Sequence, residues 1–368
     1  MSVVPYVGGV LDAAAVAASV ASIEAVQEAD GAIPWEPGRH ADVWNHVEAA
    51  MALVVGGRDA AADRAYDWVL GLQRPDGSWP TSVVDGVVTD DAGDANFSAY
   101  LAVGVWHHWL VRRDDAFVRR CWPAVRAGLD WVTELQLPFG GIPWQECWVD
   151  GRPSHVHEDG ALLAGGSSIY QALRAGVAIA ELLGRPQPGW ELAGGRLGHA
   201  VRRHPDGFMD KSTFAMDWYY PVLGGAVRGA EGRALLAARW DEFVVPGLGV
   251  RCVSTNPWVT GAETAELVMA LDALGETGTA LRLLGDLQHL REDDGRYATG
   301  FVYDDGVRWP PEHTTFTAGA VVLAADALGE RHGAATPGSG IMRGTSLAPR
   351  FPELALECGC AGDRDPVS

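Results

Sequence analysis

Two kinds of helical segment alternate along this chain, and the alternation limits the possible folds more than any other feature. Six segments are rich in alanine and glycine and apolar nearly all round: Trp44–Gly56, Phe97–Leu110, Ser167–Leu183, Tyr219–Val227, Ala262–Leu274 and Thr315–Leu328. A helix without a polar face is buried on every side. Six others pair an apolar stripe with a charged face: Val10–Gln27, Ala60–Gln73, Phe117–Gln136, Trp190–Arg203, Arg233–Phe243 and Thr279–Arg291. In the third of these, Val118, Trp122, Val125, Leu129 and Val132 recur at helical spacing. The two kinds follow one another strictly, outer then inner. Buried helices must be surrounded by others, so the pattern predicts an all-α fold, a single (α/α)6 toroid of six inner and six outer helices. Sustained period-two stretches are lacking, so a sheet fold, or a sheet of more than about four strands, is not expected. The toroid is assigned to residues 1–332. Residues 333–368, rich in Gly, Pro and Ser, are read as a tail or extended arm.

The links repeat as well. Asp30-Gly31, Asp76-Gly77, Gly140-Gly141, Asp206-Gly207 and Asp294-Gly295 each precede an aromatic or apolar residue. Glycine supplies the positive φ of a tight reversal and Asp closes an Asx-turn beside it. Each turn delivers the following loop to one end of the ring, the mouth, where the inner helices begin.

Composition narrows the partners. The formal net charge is −20, which repels phosphate backbones and anionic lipid, so no nucleic-acid or membrane partner is expected. Five irregularly spaced cysteines point to reduced thiols and a cytoplasmic location. The apolar stretch Val3 to Ile23 lacks a basic flank and is broken by Asp12, which fits an amphipathic helix better than a signal peptide. The 15 tryptophans are enough to line a cavity as well as fill a core.

Every mouth loop places acids beside aromatics. The sets are Trp35, Glu36, Asp42 and His46; Asp90, Asp91, Asp94 and Asn96; Trp144 and Glu146; Asp217, Trp218, Tyr219 and Tyr220; Trp258 and Glu263; and Trp309, Glu312 and His313. Helix capping accounts for single acids, but capping does not need tryptophan. Carboxylates crowded at one end of a ring raise one another's pKa. That leaves a protonated acid beside ionised ones, as general acid catalysis requires. Indole faces stabilise the cation that such an acid generates. Lys211, the single lysine, precedes the fourth inner helix and could donate to a substrate oxygen. His155-Val-His157-Glu158-Asp159 reads as a solvated loop, His107-His108 as packing residues, and Cys358-Gly-Cys360 as part of the tail.

Gln73-Arg-Pro-Asp76-Gly77-Ser-Trp79 resembles the QW-type repeat of terpenoid cyclases. With the six helix pairs, residues 10–330 resemble the terpenoid cyclase/protein prenyltransferase superfamily and its bacterial members usually called prenyltransferase. The resemblance implies acid-initiated carbocation chemistry on an isoprenoid. It makes Asp94 and Asp91 an acid pair within Thr89-Asp90-Asp91-Ala-Gly-Asp94, and Trp35, Trp144, Trp218, Trp258 and Trp309 the cavity walls. In the zinc-dependent members a Cys and a His join an Asp. Cys252 and His313 match the first two, but Val250 stands in the place of the Asp, so no metal and no cofactor are expected. Gly141-Ile-Pro-Trp144-Gln-Glu146 is similar to a segment of glucoamylase-like glycoside hydrolases, which share the toroid. That alternative implies a glycoside substrate, Glu146 as general acid, and Glu263 or Glu312 as its partner. A third reading is a non-catalytic binding scaffold. The oligomeric state is left open.

Overall fold

The computed structural model describes residues 4–149, 152–157, 160–331, 334–336 and 338–352. Among these the inner helices are α2 (Val43–Val55), α4 (Ala95–Arg112), α6 (Leu163–Leu182), α8 (Ala215–Leu223), α11 (Gly261–Ala273) and α13 (Thr315–Leu328). The outer helices are α1 (Ala13–Val26), α3 (Asp59–Leu72), α5 (Asp115–Glu134), α7 (Pro188–Arg203), the broken pair α9 (Gly229–Ala238) and α10 (Trp240–Phe243), and α12 (Thr277–Asp286). The inner helices pack in the cyclic order α2, α4, α6, α8, α11, α13 and back to α2, closing the ring. Side-chain caps start several of these helices: Asp42 accepts from the Asn45 amide, Asp94 from Phe97 and Thr314 from Thr317.

Small residues let the two rings approach closely. A Cβ on Gly104 of α4 would lie 2.9 Å from the Tyr66 hydroxyl of α3, and one on Gly176 of α6 would lie 2.2 Å from Leu129 of α5. Successive outer helices are stapled by the repeated glutamine and glycine. The amide groups of Gln27, Gln73 and Gln136 each donate to the carbonyl of the following turn glycine and to a carbonyl of the next outer helix, Ala61, Ala124 and Ala193 respectively. Gly77, at φ +100°, presses against the Ala127 carbonyl. Gly295 presses against Ala18, which carries the last outer helix back to the first.

The all-α expectation is corrected by two small sheets at the mouth, built from the links that precede inner helices. One has four strands, β1 (Pro80–Val84), β2 (Val87–Asp94), β3 (Gln145–Val149) and β4 (Arg152–His157), in that order. The other has five, β5 (Val244–Val245), β6 (Gly249–Arg251), β7 (Trp258–Thr260), β8 (Gly300–Val302) and β9 (Val307–Arg308). All their pairings are antiparallel. The first sheet precedes α4 and α6 and the second precedes α11 and α13, so they stand on opposite sides of the mouth. Beyond α13, a short hairpin, β10 (Glu330–Arg331) and β11 (Ala334–Ala335), leads to α14 (Ser339–Arg343). This segment lies over the opposite end of the ring. Arg343 pairs with Asp272 at 2.6 Å, Trp106 donates to the Ser346 carbonyl, and Arg174 donates to the Ala348 carbonyl.

Candidate active site

A cavity of about 440 Å³ opens at the mouth over α2, α4, α6 and α8. Its walls include Trp44, Asp94, Asn96, Phe97, Trp144, Leu162, Ile169, Met216 and Tyr220. Strand pairing builds the acidic wall: β2 meets β3 with Asp94 opposite Gln145 and Gly93 opposite Glu146. The Ala95 amide donates to the Trp144 carbonyl at 2.9 Å. This brings the Trp144 indole N–H to Oδ2 of Asp94 at 2.8 Å, while Oδ1 caps α4 by accepting from the Phe97 amide at 2.9 Å. Burial pushes the Asp94 carboxyl up to about 7; these hydrogen bonds oppose the shift and the nearby Asp42 charge adds to it. Beside it, the amide oxygen of Asn96 is buried with no hydrogen-bond partner among the described residues.

Other mouth acids surround this wall. Asp42 is buried and raised by burial; its oxygens accept from the Asn45 amide and the Asn45 side chain, and His40 lies 3.6 Å away. Asp217 accepts from the Ala164 amide at 3.1 Å, capping α6 from a neighbouring helix, and burial raises it to about 6. Glu146 is buried on β3. Glu263 lies in the first turn of α11, buried, beside the Cys252 thiol, which burial and that carboxylate push up.

Below the mouth, a polar layer crosses the otherwise apolar ring. Tyr100 donates to Oε1 of Glu48 at 2.8 Å, and Tyr219 and Tyr220 both donate to Glu266. Oε2 of Glu48 has no partner among the described residues. Burial raises both carboxyls, Glu48 to about 7, and the charge of Glu48 raises Glu266 further. The sequence reading missed this layer. Its signal was a glutamate, Glu48 or Glu266, in the interior of each of two helices that are mostly apolar.

Several expected site residues are placed elsewhere. Asp91 is exposed, and the carboxylate whose charge acts on Asp94 is Asp42, so the expected Asp91/Asp94 pair does not form. Asp90 reaches the cavity edge. His46 is structural: Nδ1 accepts from the Ile33 amide, Nε2 faces the Ala65 carbonyl at 2.8 Å, and burial lowers it to about 4. Trp218 points toward the outer ring, stacked on Phe243 with its N–H on the Leu235 carbonyl. Tyr219 belongs to the buried layer. Trp35 stacks between His40 and Phe316. Of the five expected tryptophan walls, Trp144 lines this cavity, with Trp44 as an unforeseen partner. Trp258 and Trp309 form a pair on the rim. Lys211 lies 6.0 Å from the Trp144 ring, and Glu312 accepts from Thr299. Cys252 and His313 belong to separate networks, His313 pairing with Glu292. No group of three or more His, Cys, Asp or Glu side chains among the described residues could hold a metal ion. No helix among them is long and apolar enough to cross a membrane. The side chains of His155 and His157, and residues Glu158, Asp159, Cys358 and Cys360, lie outside the described residues.

No protein-family model matches the chain. Solved structures share its fold. A single-substitution variant of a glycosidase superposes with a TM-score of 0.69 at 19% identity, covering 86% of this chain and 96% of that one. A GH63 mannosylglycerate hydrolase from Thermus thermophilus, in complex with glucose, gives 0.60 at 14%, covering 84% and 99%. A D-mannose isomerase gives 0.64 at 10%, covering 85% and 96%. At these identities the likeness is one of architecture. A curated relative is far nearer: the MMP endo-(1,4)-3-O-methyl-α-D-mannosidase of Mycolicibacterium hassiacum is 50% identical over 361 residues, 98% of each chain. This overturns the terpenoid cyclase/prenyltransferase resemblance and the isoprenoid substrate it implied. The QW-like segment on which that resemblance rested is a ring staple: Gln73 bridges two outer helices and the Trp79 indole donates to the Val69 carbonyl. The chain belongs to the glycoside hydrolase family of that endomannosidase, built on the (α/α)6 toroid.

Proposed function

We infer that the chain is an endo-acting glycoside hydrolase whose substrate is methylmannose polysaccharide, cut at 1,4 bonds between 3-O-methyl-α-D-mannose units. The relative's activity motivates the substrate. The observation that carries the chemistry is the Asp94 carboxyl, set in a cavity wall, held through both oxygens and raised to about 7. A carboxyl with that pKa carries a proton in near-neutral solution and can deliver it to the glycosidic oxygen as the C–O bond breaks. The sugar left behind gains oxocarbenium character. Glu263, on the inner helix three places round the ring from α4, is the second carboxylate: a water molecule bonds through its oxygen to the anomeric carbon and gives its proton to Glu263. Asn96 accepts from a sugar hydroxyl, and Trp44, Phe97, Ile169 and Met216 accommodate the methoxyl groups. A free hydroxyl pressed against these apolar walls would lose its hydrogen bonds to water, which costs about 1–3 kcal/mol. The reading therefore predicts selection against the unmethylated polymer.

Mass spectrometry of products from the purified protein tests this. Methylmannose polysaccharide is expected to give mid-length oligosaccharides early in the reaction, with unmethylated 1,4-mannan cut at least about ten-fold more slowly. Release of monosaccharide alone, or equal cleavage of the two polymers, would contradict the endo action or the methyl preference.

A further inference from the structure

Large apolar side chains are unevenly distributed over the surface. Of the seven that are exposed among the described residues, five (Val87, Val88, Phe214, Val307 and Trp309) lie on strands and links that precede inner helices, and so on the mouth face. Scattered exposed hydrophobes need no account, but their gathering on the one face that carries the cavity does. Trp309 is the largest, 53% exposed. It is braced. The Trp258 ring meets it edge-on with centroids 5.4 Å apart, the Trp258 indole donates to the Trp309 carbonyl at 2.7 Å, and the Trp309 amide donates to the Gly300 carbonyl at 3.0 Å. Gly300 makes room for the pair, since a Cβ there would lie 2.4 Å from the Trp258 indole nitrogen. The neighbouring Arg308 is engaged by Glu292 and by the His289 carbonyl.

Trp258 opens β7, which runs directly into α11 and Glu263. Two residues, Val259 and Thr260, separate it from the helix start at Gly261, a backbone run of about 10 Å. An indole face held open on the same mouth face as the cavity is suited to the apolar faces and methoxyl groups of a methylated glycan. We propose that Trp309, braced by Trp258, is a distal subsite that stacks on a 3-O-methylated sugar unit lying beyond the cavity. The proposal rests on the substrate reading above, and it gives the rim a role separate from the chemistry: gripping a long chain so that internal bonds are presented.

The test compares long and short 3-O-methylmannose oligosaccharides. Trp309→Ala is expected to lower the ratio of kcat/KM for long over short substrates about three- to ten-fold, and Trp309→Phe to restore most of it. Calorimetry with a long thio-linked oligosaccharide, which resists hydrolysis, should show affinity weakened by the same factor in Trp309→Ala. Thermal melting of both variants within a few degrees of the parent is expected, because the side chain is exposed. An unchanged ratio, or equal losses for both lengths, would overturn the subsite. If the parent protein cleaves no methylated mannan, the hydrolase reading fails and calorimetry alone decides the subsite. Binding weakened by Trp309→Ala would sustain it; no binding, or binding indifferent to the change, would overturn it.

Discussion

At a buried carboxyl, lost hydration raises the pKa while donated hydrogen bonds lower it, and the balance decides whether the group carries a proton. For Asp94 burial wins, although the Phe97 amide and the Trp144 indole both donate to it. That Asp94 is an acid at a helix start was legible in the sequence. That Asp42 rather than Asp91 would be its neighbour was not, because Asp42 arrives from another helix. Glu48 shows the same balance deeper in the ring: burial raises it to about 7 against the Tyr100 hydrogen bond. Its folded pKa lies above the unfolded value near 4.5, so the folded state holds the proton longer. The stability this contributes is full below about pH 4.5 and is lost as pH rises through 7. Glu48→Gln, which cannot ionise, should therefore match the parent in melting temperature at about pH 5 and exceed it at about pH 8. The reverse order at the higher pH would show that Glu48 is ionised and stabilised there.

Among the elements, the twelve helical segments were readable because burial on all sides leaves an unbroken apolar run, whereas burial on one face leaves a stripe. The strands were overlooked although the sequence marks them. Asp85-Gly86 stands between Pro80–Val84 and Val87–Asp94, with φ of 49° and 73°, and Asp305-Gly306 precedes β9. An Asp-Gly pair between β-branched residues is a hairpin signal even when each strand is too short to show a period. The glycine turns differ in what they support. At Gly77 positive φ is combined with the Ala127 carbonyl lying 2.3 Å from where a Cβ would stand, whereas at Gly86 φ is positive but a Cβ would meet nothing within 4 Å. Gly77→Ala is expected to destabilise by about 3 kcal/mol and Gly86→Ala by about 1 kcal/mol. Urea unfolding of the two variants checks this, and equal costs would mean that the staple contributes little to holding the ring.

On the scale of the whole molecule, the toroid serves as a frame with two different ends. The segment after α13 covers one end through Arg343 and Asp272 and through arginines bonded to main-chain carbonyls. The other end gathers the starts of six inner helices, and with them the acids, aromatics and small sheets. This division explains why architecture was easier to read than chemistry. Helix periodicity and turn spacing are shared by toroids that act on unrelated substrates, and a mannose isomerase has the same frame. The Gln-Gly-Trp staple belongs to the frame, so it misdirected the reading toward isoprenoids. The cavity, by contrast, is assembled from four separate helices, and Asp94, Asn96, Trp44 and Tyr220 meet there only after folding. The central claim is that Asp94 supplies the proton for glycosidic cleavage, and the pH dependence of kcat/KM on methylmannose polysaccharide tests it most directly. The parent protein should lose activity above about pH 7 as Asp94 deprotonates. Asp94→Asn, which keeps the cap, should fold normally, fall by about 10²–10⁴-fold and lose that alkaline limb. An Asp94→Asn protein with parental rates and the same alkaline limb, or loss of activity in Glu146→Gln instead, would contradict the account.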